Sequence, residues 1–299
     1  MAIANAEMVR RRSIVGRAFR LFLGQSRTLA GVLAWGGLAV LFAFIILAVF
    51  APWIAPYDPN IPSGEPRLPP SSEHWFGTNV LGQDVLSRVI WGARVPLAVV
   101  AIASAISLVV GAPLGLVSGF YGGSLDRFLL LVMDSIYAFP GLLLAVVVAA
   151  ILGPGIVNVS LVIALVYVPT YFRVIRNHVA SVRQELFVEA GDALALARTT
   201  VIARYILPSV AQSIPVIFSI SAADAVLTQA GLSFLGLGLP PDVPDWGLDL
   251  SRYAGRIYTM WWVGFFPGIM IIILTTSLAF ISEGLNDILN PLLRRRETR

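Results

Sequence analysis

Four stretches of this chain run for 26 to 38 residues without a charged side chain. They lie between Arg27 and Asp58, Arg94 and Asp126, Asp134 and Arg173, and Arg256 and Glu283. Roughly 20 predominantly apolar residues carry a helix across a bilayer, so each stretch is long enough to span. The longest is too long for one helix and divides at Leu152-Gly153-Pro154-Gly155, a glycine–proline stop. A further span, from about Pro208 to Gly231, is interrupted only by Asp224. The reading is an all-α integral membrane protein of six transmembrane helices, near 31–54, 95–119, 127–151, 156–177, 209–231 and 262–285.

Composition agrees with this. Hydrophobic residues make up 57% of the chain and charged residues 13%, against about 45–50% and about 25% in soluble proteins. There is no cysteine, which excludes disulfides, thiolate metal sites and cysteine nucleophiles. All 21 basic residues are arginine, so a P-loop lysine and a Schiff-base lysine are absent too. The arginines sit beside apolar runs and set topology rather than a nucleic-acid footprint. With the N-terminus inside, 16 fall on inner segments and five (Arg67, Arg88, Arg94, Arg252, Arg256) on outer ones. The positive-inside rule therefore places both termini in the cytoplasm. The basic N-terminal stretch could open a signal peptide, but its apolar run exceeds the 7–15 residues of a signal core. An uncleaved first helix is expected.

The organisation follows: a tail over 1–30, a first helix over 31–54 and an external loop over 55–93. A transmembrane domain then covers 94–286, with an internal loop at 178–208 and an external loop at 232–261, before a tail over 287–299. Seven prolines between Pro52 and Pro70 keep the first external loop extended. The segment Leu81–Arg88 reads as a short surface helix, and Trp53, Trp75, Trp91 and Trp246 suit an interfacial aromatic belt. The two external loops could receive an extracellular protein or merely cover the helix ends.

The internal loop is the most informative. Ser181-Val182-Arg183-Gln184 has the capping-box pattern of a helix start. Leu186, Ala190, Ala193, Leu194 and Ala197 form an apolar stripe, while Glu185, Glu189 and Asp192 share another face. A second helical run, Thr199 to Leu207, ends at Pro208. This amphipathic hairpin could lie on lipid headgroups, but an acidic face is poorly suited to anionic lipid. Docking into a cytosolic protein groove is the favoured reading.

Ala103, Ser107, Gly111, Gly115 and Gly119 recur every four residues, the spacing of close helix packing against a partner subunit or a helix of the same chain. The two histidines, His74 and His178, fall on opposite sides of the membrane and cannot share a metal. Of the two acids inside spans, Asp134 is near enough to the inner end to reach water. Asp224 is deeper; with Gln229 on the same helix it is the candidate for a translocation pathway, a structural ion pair being the alternative. An enzyme reading has little support.

Four blocks carry a family resemblance: Ala51-Pro52-Trp53-Ile54-Ala55-Pro56-Tyr57-Asp58-Pro59, His74-Trp75-Phe76-Gly77-Thr78 with Leu81-Gly82-Gln83-Asp84-Val85-Leu86-Ser87-Arg88, Leu232-Ser233-Phe234-Leu235-Gly236-Leu237-Gly238 with Trp246-Gly247, and Gly284-Leu285-Asn286-Asp287 through Pro291. Together they resemble the C-type permease subunit of the dipeptide/oligopeptide importers, binding-protein-dependent ABC systems with a type-I permease fold. The internal loop is similar to that family's coupling segment, usually Glu-Ala-Ala, then Gly, then a Leu-Pro close. Here it reads Glu189-Ala190-Gly191, with Ala195 at the usual Gly, ending in Leu207-Pro208.

The resemblance implies that this segment docks in a cleft of a cytosolic ATPase. It implies a multi-pass subunit of the cytoplasmic membrane working with a second permease, two ATPase subunits and an extracytoplasmic peptide-binding protein. ATP and Mg would be used by the partners and no cofactor would be bound by this chain. Related C-type permeases import nickel, glutathione or oligosaccharide, which keeps those substrates open. An ion-coupled transporter or channel using Asp224 is the rival of a different class.

Overall fold

A computed structural model of the chain describes residues 29–289 apart from residue 257. The arginine-bearing stretches before and after these residues lie outside it. Among the described residues the secondary structure is helical, with one isolated bridge, Thr78 to Asp84, and no strand. The helices are α1 (Leu29–Ile54), α2 (Val85–Gly92), α3 (Arg94–Tyr121), α4 (Gly123–Tyr137), α5 (Gly141–Leu152), α6 (Ile156–Val182) and α7 (Leu186–Ala193). After them come α8 (Arg198–Val201), α9 (Leu207–Val210), α10 (Ile214–Phe234), α11 (Trp246–Tyr253) and α12 (Trp261–Leu289).

Five of these segments are long and apolar enough to cross a membrane, and a sixth span exists if α4 and α5 are taken together. The continuous helix expected over 127–151 does not form. The chain bends by 84° between α4 and α5, at Ala138-Phe139-Pro140. Proline disfavours helical backbone in the residue before it; Pro140 takes an extended ψ of 122° and opens α5 instead. The other spans overrun their expected ends: α6 continues to Val182, and α12 from Trp261 to Leu289.

The centre of the bundle is the pair α3 and α6, which run parallel. A side chain added at Gly111 would meet the Val168 carbonyl at 2.8 Å, at Gly115 the Phe172 carbonyl at 2.6 Å, and at Gly119 the Arg176 carbonyl at 2.5 Å. The four-residue stripe therefore faces a helix of its own chain. Ala103 and Ser107 extend it, and the Ser107 hydroxyl bonds the Ala164 carbonyl at 3.1 Å.

On the other side α1 packs against α12, Gly37 lying directly under the Ser277 carbonyl. Pro52 lacks the N–H that would serve the Ala48 carbonyl one turn back; Arg94 Nε donates to that carbonyl at 2.6 Å. The main apolar core gathers residues of these helices, among them Phe44, Val99, Ile163, Ala222, Leu232 and Leu274.

At one end of the bundle the segment 55–84 folds over α2 and α11 as a cap. Helix α2 begins at Val85, later than Leu81, and most of it is buried rather than lying on the surface. Trp246 is not part of an aromatic belt. It is 2% exposed, its indole N–H donates to the Val89 carbonyl at 2.9 Å, and its ring edge meets Phe44. Trp53 and Trp75 are exposed. The opposite end carries α7.

Candidate functional site

Helix α6 does not stop where the expected capping box would start a new helix. Ser181 lies in its last turn and accepts from the Gln184 N–H at 3.1 Å. The Ser-x-x-Gln spacing falls at the close of α6 rather than opening α7, because an N-cap residue must leave the helical conformation and Ser181 is still inside α6. The start of α7 is instead at Glu185, whose carbonyl accepts from Val188 at 2.9 Å and Glu189 at 3.3 Å. Acids at this end suit the helix dipole.

The apolar stripe expected on α7 is turned away from the bundle. Leu186 is 80% exposed and Leu194 75%, and Phe187, Ala190, Ala193 and Ala197 are exposed with them. Glu185 and Glu189 are exposed as well; the side chain of Asp192 lies outside the described residues. The helix is held by Val188, which is 1% exposed, together with the buried Gly191. Full burial of such an aliphatic side chain contributes about 1.5–3 kcal/mol. Val188 belongs to one cluster with Phe120 of α3, Val179 and Val182 of α6, Val201 and Ile206 after α7, and Val210 and Ile217 leading into α10. Three spanning helices and the loop thus share a single apolar joint.

Helix α7 ends in a Schellman arrangement. Ala195 has φ +53°, and the Leu196 N–H reaches back to the Gly191 carbonyl at 3.1 Å. Glycine is the usual residue at such a position, and Ala195 occupies it here.

The second run does not end at Pro208. From Arg198 the chain stays helical into α10, with a π turn over Ile202–Ile206 in which the Leu207 N–H bonds the Ile202 carbonyl. Pro208 would collide with the carbonyl four residues back in a regular helix. The wider turn, with Pro208 near the start of α9, accommodates it. Leu207 and Pro208 are exposed.

Asp224 sits at the midpoint of α10, exposed, and its carboxylate makes no hydrogen bond or ion pair with any described residue. Gln229 points the other way: it is 2% exposed and its amide donates to Ser233 Oγ at 3.0 Å and Asp245 Oδ2 at 2.7 Å. It faces the interior of the chain as a strut, not an open path. On the same exposed flank as Asp224, the Tyr167 hydroxyl is 3.3 Å from Thr228 Oγ1. Asp134 pairs with Arg173 at 2.6 Å, and that guanidinium lies 4.2 Å over the Tyr137 ring. The broken backbone at Ala138, Phe139 and Pro140 is exposed next to it.

The cap end contains polar contacts that periodicity does not reveal. Asp84 caps α2, accepting from Ser87 N–H and Oγ at 2.8 and 2.7 Å, and its other oxygen is 2.9 Å from His74 Nδ1. Arg88 grips Asp249 with two bonds, 3.0 and 2.8 Å, both side chains nearly inaccessible. Asp245 caps α11 through Leu248 N–H; burial pushes its carboxyl above the usual range, against the bonds from Leu248 and Gln229 that lower it. All of these residues except Gln229 and Asp249 lie in or beside the four sequence blocks. The pairing of Arg88 with Asp249 across 161 positions has no local signature.

Comparison with known proteins names the architecture. Residues 111–295 match the family of the binding-protein-dependent transport system inner membrane component. Residues 32–70 match the N-terminal transmembrane domain of oligopeptide transport permease C. The dipeptide transport system permease protein DppC of Alkalihalophilus pseudofirmus is 38% identical over 265 residues, 88% of this chain and 86% of the relative. The glutathione transport system permease protein GsiD of Escherichia coli O6:K15:H31 is 36% identical over 257 residues, 84% and 83% of the two chains. The GsiD of Shigella dysenteriae serotype 1 is 37% identical over the same share. With five or six apolar spans, the chain is a multi-pass protein of the inner membrane. It belongs to the binding-protein-dependent transport system inner membrane component family, as a permease component of an ABC importer.

Proposed function

We propose that this chain is one of two permeases of an ATP-driven importer of dipeptides or oligopeptides. The second permease is homologous, two separate ATPase subunits supply the work, and an extracytoplasmic binding protein delivers the solute. In this reading α4 and α5 count as one span, giving six, and both termini lie in the cytoplasm on the side of α7. Relatives named for dipeptide and for glutathione transport support a peptide-like solute, glutathione being the alternative.

The observation that carries the reading is α7. A helix anchored by Val188 presents Leu186, Phe187 and Leu194 to solvent beside Glu185 and Glu189. Exposed apolar area of that kind, rimmed by charge, marks a protein-binding surface. The chain has no lysine for a nucleotide site of its own. A push on α7 enters α3, α6 and α10 through the cluster they share.

The substrate path is assigned to the flank of Asp224 and the Asp134–Arg173 pair. Non-helical backbone at membrane depth is tolerated where protein or water covers it, not lipid, and intramembrane charges face the bundle or a cavity. The exposed break at Ala138–Pro140 and the unpaired Asp224 both ask for such cover, which the second permease and the aqueous path supply.

The test is Glu189→Arg in the assembled transporter. Transport and substrate-stimulated ATP hydrolysis are expected to fall at least ten-fold, with membrane insertion and subunit co-purification of the permease pair unchanged. Normal transport by this variant would remove the docking role.

A further inference from the structure

At the α7 end, a cleft of about 410 Å³ opens between the ends of α3, α4 and α6, lined among others by Gly119, Gly122, Asp126, Arg176, Arg183 and Gln184. We propose that it binds the phosphate group of an anionic phospholipid from the leaflet on which α7 lies.

The charge of the cleft is positive once its internal pair is discounted. Asp126 is consumed by Arg176, which donates through Nε at 2.8 Å and Nη2 at 2.6 Å, and by the Ser118 hydroxyl. That leaves Arg183. Its guanidinium carbon stands 5.8 Å from the Phe120 ring, and Arg198 stands 5.9 Å from the neighbouring Tyr121 ring. The two rings meet edge to face at 5.1 Å. Two cations thus stand near one aromatic pair at the end of α3, Arg183 lining the cleft and Arg198 beyond its lining. Neither forms an ion pair with an acid among the described residues. Arg127, just past the first turn of α4, is exposed and equally without an acid among the described residues.

The floor leaves room for a ligand. Gly122 has φ +65°, and a side chain there would point toward Arg183 Nη1 at 3.8 Å with nothing nearer. Beyond the lining, the adjoining ends of α3 and α4 expose apolar side chains: Tyr121 is 47% exposed, Leu125 43% and Phe128 62%. A free phosphate has no use for that neighbouring apolar surface. A phospholipid does, because its acyl chains continue from the headgroup along the exposed face of a membrane helix. Basic pockets between the ends of transmembrane helices are suited to anionic headgroups in this way.

The transporter, extracted with all its subunits, is titrated with phosphatidylglycerol and with phosphatidylcholine, and bound lipid is counted by native mass spectrometry. Removing one arginine at a membrane surface loses about five-fold in anionic-lipid affinity. Arg183→Gln should therefore weaken phosphatidylglycerol about five-fold, and Arg183→Gln with Arg198→Gln roughly 25-fold. Phosphatidylcholine should not change, and Arg67→Gln in the distant cap should behave as wild type. Unchanged phosphatidylglycerol binding in the double variant would overturn the site, as would an equal loss in Arg67→Gln. Displacement of the lipid by millimolar inorganic phosphate would show a free-anion site and overturn the lipid assignment. If the double variant does not assemble, a photoreactive phosphatidylglycerol on the wild type decides: labelling within residues 118–128 supports the site, and labelling elsewhere or on a partner subunit refutes it.

Discussion

Ala195 is the residue on which the shape of the α7 end can be tested most directly. At φ +53°, an L side chain pays about 1–2 kcal/mol that glycine does not. Glycine loses about 0.5–1 kcal/mol more conformational freedom on ordering than alanine. The difference leaves Ala195→Gly more stable by about 0.5–1 kcal/mol, all of it in the last turn of α7. The amides that report this are Leu194, bonded to the Ala190 carbonyl, and Leu196, bonded to the Gly191 carbonyl, both at 3.1 Å. Local opening should become rarer, so hydrogen–deuterium exchange at these amides should slow roughly two- to five-fold. The same chemical change two residues earlier has the opposite sign. Ala193 is the last helical residue of α7, and Ala193→Gly should lose up to about 1 kcal/mol and speed exchange there. Only the backbone conformation distinguishes the two sites. If both variants shift exchange in one direction, or if Ala195→Gly exchanges as fast as wild type, the left-handed cap is not what ends α7.

Two further outcomes follow from packing. Gly119→Leu should lower the thermal midpoint of the solubilised transporter, since its Cβ would meet the Arg176 carbonyl at 2.5 Å and Val179 Cβ at 2.9 Å; such overpacking costs about 1–3 kcal/mol, whereas Gly36→Ala, with open space around it, should leave the midpoint unchanged or higher. At the cap, Arg88→Ala should destabilise by about 3–5 kcal/mol by stranding Asp249, and the double change Arg88→Met with Asp249→Leu should recover most of that; chemical denaturation of the two variants checks it, and equal losses would show that charge pairing is not what holds α2 to α11.

The spans were legible in the sequence because hydropathy over some 20 residues is a long-range signal that few local accidents can mimic. The stop at Gly153–Gly155 was legible for the same reason glycine and proline usually are. Pro140 was not, because apolar residues continue on both sides of it and hide a bend that hydropathy does not measure. The Ser181–Gln184 pattern starts no helix, since an N-cap has non-helical backbone and Ser181 is still inside α6. The stripe on α7 is apolar by sequence, but periodicity does not say which way a stripe faces. Leu186 and Leu194 are more hydrophobic than Val188 in size, yet Val188 turns inward because only it meets Val201 and Ile206. Trp246 and Trp53 look alike in composition; only the gap left by Gly92 tells them apart. Arg88 and Asp249 find each other through the fold alone.

The cap and the joint around α7 hold their helices by different contacts, and this bears on how force could pass through the bundle. At the cap, charges are buried and paired, with Arg88 held by two bonds to Asp249 and a third to the Pro59 carbonyl. Such contacts are short, directional and intolerant of sliding. At the α7 end the joint that α7 itself enters is apolar, with Phe120, Val179, Val188, Val201 and Ile206 among its members, beside the Asp126–Arg176 pair that ties α4 to α6; apolar contacts have no preferred direction. Helices α3 and α6 are locked into one body by carbonyls lying against glycines at 111, 115 and 119. A displacement of α7 would therefore move α3 and α6 together about a fixed cap instead of sliding one past the other. The α4–α5 segment is tied to α6 twice along α4, by the Asp126–Arg176 pair near its start and by the exposed Asp134–Arg173 pair near its end, so α4 follows α6 while the bend at Pro140 separates it from α5.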